Sequence, residues 1–130
     1  MRKENIIYAL CSSILFFSCV QETHLKEVTF KVDMRAVDSV SAVGIRGQFT
    51  DPAWRVKVPM TDDDGDGIYE TTISEKTAQN SVAFKFVNRD SIFELQGKDN
   101  RYLKFEYRPQ KLVLEAVFDE LGTQQLLETN

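Results

Sequence analysis

The stretch EVTFKVDM, Glu27–Met34, places Val28, Phe30, Val32 and Met34 at every second position, with Thr29, Lys31 and Asp33 between them. Successive side chains of a β-strand point to opposite faces, so this period of two predicts a strand with one face in a core and one in water. The same pattern recurs on both sides of it. Val43 and Ile45 begin a second strand that reaches Gly47 and Phe49; Val56, Val58 and Met60 make a third; Tyr69, Thr71 and Ile73 a fourth. Val82, Phe84 and Phe86 make a fifth, and Leu112, Leu114, Ala116 and Phe118 a last one, with shorter strands in SIFELQ and RYLKFEY between them. No segment carries a sustained helical period. Many short strands, with a turn signal every ten or so residues, predict an all-β, immunoglobulin-like antiparallel sandwich.

The chain has 130 residues, 42% of them hydrophobic, which suits one core of ordinary size and therefore one domain. Sixteen Lys and Arg stand against twenty Asp and Glu, a formal net charge of −4, and no basic block occurs. The electrostatic footprint of nucleic-acid binding is thus missing, and that class is set aside.

The N-terminus reads as a targeting segment rather than as fold. Met1-Arg2-Lys3 forms a short positive region, and IIYALCSSILFF, Ile6 to Phe17, is an apolar run too short to span a bilayer as a helix. The run ends in LFFSC, which resembles the lipobox of bacterial lipoproteins, although Phe16 and Phe17 are bulkier than the usual residues there. The resemblance implies cleavage before Cys19 and attachment of lipid, palmitate among the acyl chains, to its sulfur and new amino terminus. An ordinary secretory signal or an uncleaved anchor is the alternative. Cleavage would remove Arg2, Lys3 and Glu4, taking the net charge from −4 to −5, and Cys11 would leave with them. The expected organisation is a signal peptide over 1–18, lipidated Cys19 and a tether over 19–25, the sandwich over 26–120 and a C-terminal tail over 121–130. Such a chain would be exported and anchored in the bacterial cell envelope.

TDDDGDGIYE, Thr61–Glu70, packs four aspartates and two glycines into six residues. As a hairpin with Asp64-Gly65 at its tip it would set Met60 opposite Tyr69, Val58 opposite Thr71 and Val56 opposite Ile73, which joins apolar residues on one face. The competing reading is a cation loop, because Asp62, Asp64, Asp66 and Gly67 match the first half of D-x-D-x-D-G. Position twelve of such a loop would be Ile73, which cannot supply the bidentate carboxylate, so a full EF-hand is excluded. A solvated acidic turn is the preferred reading, with calcium at Asp62, Asp64 and Asp66 kept as the alternative.

Catalytic constellations are scarce. The single histidine, His24, falls in the expected tether, and the mature chain would hold no thiol, which removes Cys/His and Ser/His/Asp arrangements and a histidine-based zinc site. The expectation is therefore that the chain is not an enzyme. Two aromatic positions stand apart from the core pattern. Trp54, the only tryptophan, sits in the loop GQFTDPAW, and Phe93 follows VAFKFV, whose Lys85 points away from the core on a locally uncharged surface. An exposed ring with nearby donors suits a pyranose, which has an apolar C–H face and a hydroxyl rim. The competing reading folds Trp54 back over the core and leaves Lys85 merely solvated.

The order VTFKVDM, VGIRGQFTDPAW, VPMTDDDGDGIYETTI, VAFKFVNRDSIFELQGKDNR, from about Val28 to Phe118, resembles the starch-binding carbohydrate-binding modules and the related glycogen-binding domains. Those modules read strand, G-x-F-N-x-W, L/M-turn-G-x-Y/W-E, Y-K-F, W-E and N-R. The resemblance implies an α-glucan site at Trp54, Lys85, Phe93 and Asn100, with Glu94 and Arg101 as the neighbours that complete the W-E and N-R phrases. Two departures stand out: two additional residues precede Trp54, and Phe93 replaces a tryptophan. The phrase DGDGIYE is similar to those of exported modules, which implies the outer membrane. Two functions are carried forward: a non-catalytic glycan-binding lipoprotein, and a structural lipoprotein that docks an envelope protein partner through the same face or an exposed strand edge.

Overall fold

The computed structural model describes residues 21–130. They form nine strands: β1 His24–Asp33, β2 Gly44–Gly47, β3 Val58–Pro59, β4 Ile68–Thr77, β5 Ser81–Asn88, β6 Ile92–Phe93, β7 Arg101–Lys104, β8 Gln110–Val117 and β9 Glu120–Thr129. No helix occurs among the described residues. The expected β-sandwich is the observed fold. One sheet runs β4-β1-β8-β9; the other runs β3-β2-β5, with β6 and β7 end to end along the far edge of β5. Pairing is antiparallel except between β1 and β8, which run parallel from Lys26↔Gln110 to Asp33↔Val117.

The alternation in Glu27–Met34 is realised as read: Val28, Phe30, Val32 and Met34 are buried. They meet Val82, Phe84 and Phe86 from β5 and Leu112, Leu114 and Ala116 from β8 in one core. Phe30 and Phe84 pack edge to face at 5.1 Å between ring centroids, and Phe84 and Phe86 at 5.6 Å. Edge-to-face contact sets the positive ring edge on the negative ring face, so these rings add orientation to the stabilisation that burial supplies.

Three expectations need correction. Residues 121–130, expected as a tail, belong almost wholly to β9, a ten-residue strand paired with β8 from Val117↔Glu120 to Lys111↔Thr129. Its ladder is held by the backbone while nearly all its side chains remain exposed, so no apolar alternation marks it. The tether is shorter than expected, because β1 begins at His24 and the Lys26 side chain is buried. Its ammonium donates to the Glu106 and Arg108 carbonyls and to Gln110 Oε1, which ties the first strand to the loop before β8. Residues 1–20, including the expected signal peptide and Cys19, lie outside the described residues.

The third correction concerns the acidic hairpin. Thr61, not Asp63, is the paired residue, and it meets Glu70, a register two residues from the expected one. Beyond that bridge the two arms part. Val58 pairs with Ile45 in one sheet, whereas Tyr69 pairs with Val32 in the other, and Val56 is 41% exposed. The acidic stretch is therefore a crossing between sheets. Apolar alternation alone cannot distinguish a hairpin from two strands that face each other across a core.

Candidate functional site

The residues expected to hold a glycan are distributed over the outer face of the second sheet and the loops around it. In β5 the core-facing Phe84 and Phe86 leave Lys85 on the opposite face, where strand pairing sets it beside Arg46 of β2. Phe93 of β6 stands opposite Val87 on that same face. Arg46 gathers the group: its guanidinium carbon lies 5.9 Å from the Phe93 ring centroid, Nη1 donates to the Trp54 carbonyl at 3.3 Å, and Nη2 donates to the Asp90 carbonyl at 3.2 Å.

The surface around Lys85 is thus not uncharged, as sequence reading had it. Arg46 stands next to it, and the Lys85 ammonium donates to the Leu95 and Lys98 carbonyls at 2.8 and 3.2 Å. Carbonyl partners satisfy donors without neutralising the charges, so both cations keep their field. Lys57, beside Gly44, anchors the neighbouring loop through the Ala42 carbonyl and the Asp90 carboxylate, 2.9 and 2.8 Å away. The Lys57 ammonium holds the Asp90 carboxyl below its ordinary value, with a smaller contribution from Arg46. Sequence reading missed Arg46. The signal was present in GIRG, where a lone cation between Ile45 and Gly47 must point outward if Ile45 points in.

Trp54 is half-buried, between the two alternatives that sequence reading left open. Its φ is +68°, a left-handed conformation that a bulky residue adopts only when its surroundings impose it. Two hydrogen bonds do so: its N–H donates to the Gly47 carbonyl at 2.9 Å, and its own carbonyl accepts from Arg46. The loop that carries Trp54 is therefore clamped to β2 at the residue where Lys85 and Phe93 converge.

Glu94 and Arg101 explain how Phe93 and Asn100 are held. Both of these charged side chains are completely buried and form a fork, Arg101 Nε to Glu94 Oε2 and Nη2 to Oε1, each at 2.8 Å. Glu94 also accepts from the N–H of Phe86 and of Asp119, at 2.8 and 3.2 Å, and Arg101 donates to the Val117 and Glu120 carbonyls. Glu94 directly follows β6 and Arg101 opens β7, so the fork fixes the chain next to Phe93 and next to Asn100. Asn100 is half-buried and precedes Arg101, whose partner Phe84 adjoins Lys85. The sequence phrases F-E and N-R each pair one buried ion with one half-buried candidate ligand.

At the acidic crossing, one carboxylate oxygen from each of Asp62, Asp64 and Asp66 lies within 4.8 Å of the others. These groups are already engaged by the turn's own backbone. Asp62 accepts from the Asp66 and Gly67 N–H groups at 3.1 and 2.9 Å, and Asp66 accepts from the Ile68 N–H at 2.8 Å. Desolvation pushes the Asp62 carboxyl up, but the Gly67 N–H and the Asp64 and Asp66 carboxyls outweigh it and leave it below the ordinary value. For Asp64 the Asp66 N–H lowers the value, and the Asp62 and Asp66 carboxyls outweigh that and raise it. Gly67 has a φ of +83°, and a Cβ there would lie 2.5 Å from Arg35 Cγ, so no other residue fits without displacing that side chain. Self-satisfied acceptors and left-handed glycines are what a solvated turn requires.

No protein-family model and no curated protein matches the sequence. Among solved structures the chain is similar to CBM25-1 and CBM25-2 of the beta/alpha-amylase from Paenibacillus polymyxa, CBM denoting a carbohydrate-binding module. Each superimposes with a TM-score of 0.50 at 10% sequence identity; each match covers 82% of this chain, and 94% and 95% of the two modules respectively. The chain has the β-sandwich fold of these modules.

Proposed function

We propose that this chain is a non-catalytic glycan-binding module, that its ligand is an α-glucan, and that Cys19 anchors it by lipid to the cell envelope, in the outer membrane. The observation that carries the glycan reading is the convergence of Lys85, Phe93 and the backbone of the Trp54 loop on Arg46 at the outer face of the second sheet. Aromatic faces take the apolar side of a sugar ring, and the remaining donors of Arg46 and Lys85 take its hydroxyls. The fold shared with two carbohydrate-binding modules supports the class of ligand. The order of motifs from Val28 to Phe118 supports glucan in particular, with Asn100 as the fourth contact.

The test is calorimetric titration of the full chain with maltoheptaose, followed by tryptophan fluorescence. Binding should quench or shift Trp54 emission, and Trp54→Ala should weaken affinity about tenfold, the worth of one aromatic stacking contact. Absence of heat and of a fluorescence change in the wild type would refute the glucan reading.

The second reading, docking of an envelope protein, has one observation in its favour. β9 is an edge strand of ten residues that exposes Leu121, Leu126 and, at 64%, Leu127. A long edge with apolar side chains and no lysine or proline is open to an added strand. If the wild type ignores glycans and is recovered from detergent-solubilised envelopes with a protein partner that Leu127→Lys releases, docking replaces glycan binding.

A further inference from the structure

The outer face of the second sheet carries another aromatic that the motifs do not name. Tyr102 of β7 is 56% exposed and stands opposite Ala83 of β5, one position along the strand from the Phe84–Arg101 pair that faces the core. It therefore projects on the same face as Lys85. Asn100, half-buried, ends the loop that leads into the strand. Pairing arranges this face in rows across the strands: Gly44, Val87 and Phe93 form one, Arg46 and Lys85 the next, and Ala83 and Tyr102 the third. Gln48 closes the third row, donating its N–H to the Ala83 carbonyl at 3.0 Å and accepting the Ala83 N–H on Oε1 at 2.9 Å.

Phe93 and Tyr102 thus lie along one edge of β5, on either side of the Lys85 row. Their partners Val87 and Ala83 are four residues apart, which at the rise of a strand is about 13 Å. Tyr107, also exposed, packs edge-on against His24 at 4.6 Å between ring centroids, whereas among the described residues no aromatic ring packs against Tyr102. The neighbour across the strand is only a methyl group, and more than half of Tyr102 is exposed. Two rings at this spacing, with the Arg46 and Lys85 donors between them, exceed the length of one pyranose.

Resting on the glycan reading above, we infer that Tyr102 is a second stacking platform of the same site, and that the site selects a linear oligosaccharide over a mono- or disaccharide. The short sugar meets one ring and the central donors; the long one reaches both rings. Tyr102 is then a determinant of chain-length preference and not of whether sugar binds at all.

The test titrates the full-length wild type, Tyr102→Ala and Tyr102→Phe with maltose and with maltoheptaose, following heat and amide chemical shifts. Tyr102→Ala should weaken maltoheptaose binding about tenfold and change maltose binding less than twofold, so that the preference for the longer chain collapses. Tyr102→Phe, which keeps the ring, should retain the preference. The exposed side chain makes unfolding an unsuitable explanation for a loss, and the melting temperature checks it. A wild type that binds maltoheptaose together with a Tyr102→Ala variant that binds both sugars as the wild type does overturns the inference and leaves the glycan reading standing. A wild type that binds neither sugar overturns both.

Discussion

Replacing Glu94 by alanine strands a guanidinium in a dry core. Arg101 would lose both limbs of its fork, and the N–H groups of Phe86 and Asp119 would lose their acceptor. Breaking a buried ion pair on one side costs about 3–5 kcal/mol, because the remaining charge has been removed from water without compensation. Each orphaned buried N–H adds about 1–3 kcal/mol where water cannot enter, although the terms overlap. Taking about 3 kcal/mol as the floor, and about 4 °C per kcal/mol for a domain of this size, Glu94→Ala should lower the melting temperature by at least about 12 °C. Glu94→Gln, which keeps one acceptor oxygen, should fall between it and the wild type.

The assay is thermal and urea unfolding followed by circular dichroism, on Glu94→Ala, Arg101→Met and the double variant Glu94→Ala with Arg101→Met. Removing both partners leaves no bare charge, so the double variant should be more stable than the sum of the single losses predicts, and more stable than Glu94→Ala itself. A loss below about 1 kcal/mol in Glu94→Ala would refute the argument, since it would mean that Arg101 finds water or another partner. Equality of the double loss with the summed single losses would show that the two side chains act independently, contrary to the fork.

Lys57→Ala should move the Asp90 carboxyl back up toward its ordinary value in a carbon-detected titration, since the Lys57 ammonium is the first cause of its depression. The sign follows from linkage: stability from this pair is present above the unfolded carboxyl value and is lost as pH falls through the lower folded value, so the two proteins should converge in acid. Asp62→Ala should lower the melting temperature more than Asp63→Ala, because both Asp62 oxygens accept N–H groups of the turn. Millimolar calcium should leave the wild-type melting temperature nearly unchanged; a saturable rise of several degrees would show the cluster to be a cation loop. Cys19→Ala should abolish labelling by a palmitate analogue and release the chain from membranes, and equal labelling of both proteins would rule out lipidation at that position.

The parts of the fold that were legible are those where burial imposes a period. Phe30, Val32 and Met34 alternate with polar residues because β1 has one wet face, and the period of two likewise places Phe84, Phe86, Leu112 and Leu114 in the core. β9 lacks this mark: Leu126 and Leu127 are adjacent and both exposed, so backbone pairing with β8 defines the strand without an apolar face to betray it. Register across the acidic crossing was misread for a related reason. Met60 and Tyr69 both turn toward the core, but from different sheets, and a shared interior looks the same in sequence as a shared ladder.

The site divides along the same line. Lys85, Phe93 and Asn100 were found through the phrases around them, and the structure supplies the physical content of those phrases: a glutamate and an arginine, seven residues apart, lock into a buried fork. That fork fixes the end of β6 beside Phe93 and the start of β7 beside Asn100. What no phrase conveyed was the pairing of β2 with β5, which carries Arg46 to Lys85, and of β7 with β5, which sets Tyr102 on the same face. The paired residues Arg46 and Lys85, and Ala83 and Tyr102, are separated by 39 and 19 residues in the chain and owe their proximity to backbone hydrogen bonds. The outward face of a strand is read residue by residue in sequence, whereas a surface that can hold a ligand is read across strands. The fork connects the two, because the buried charges that orient Phe93 and Asn100 also fasten β6 and β7 to the ends of β8 and β9 through the Val117 and Glu120 carbonyls. A substitution at Glu94 should therefore weaken ligand binding through the placement of Phe93 even in variants stable enough to remain folded.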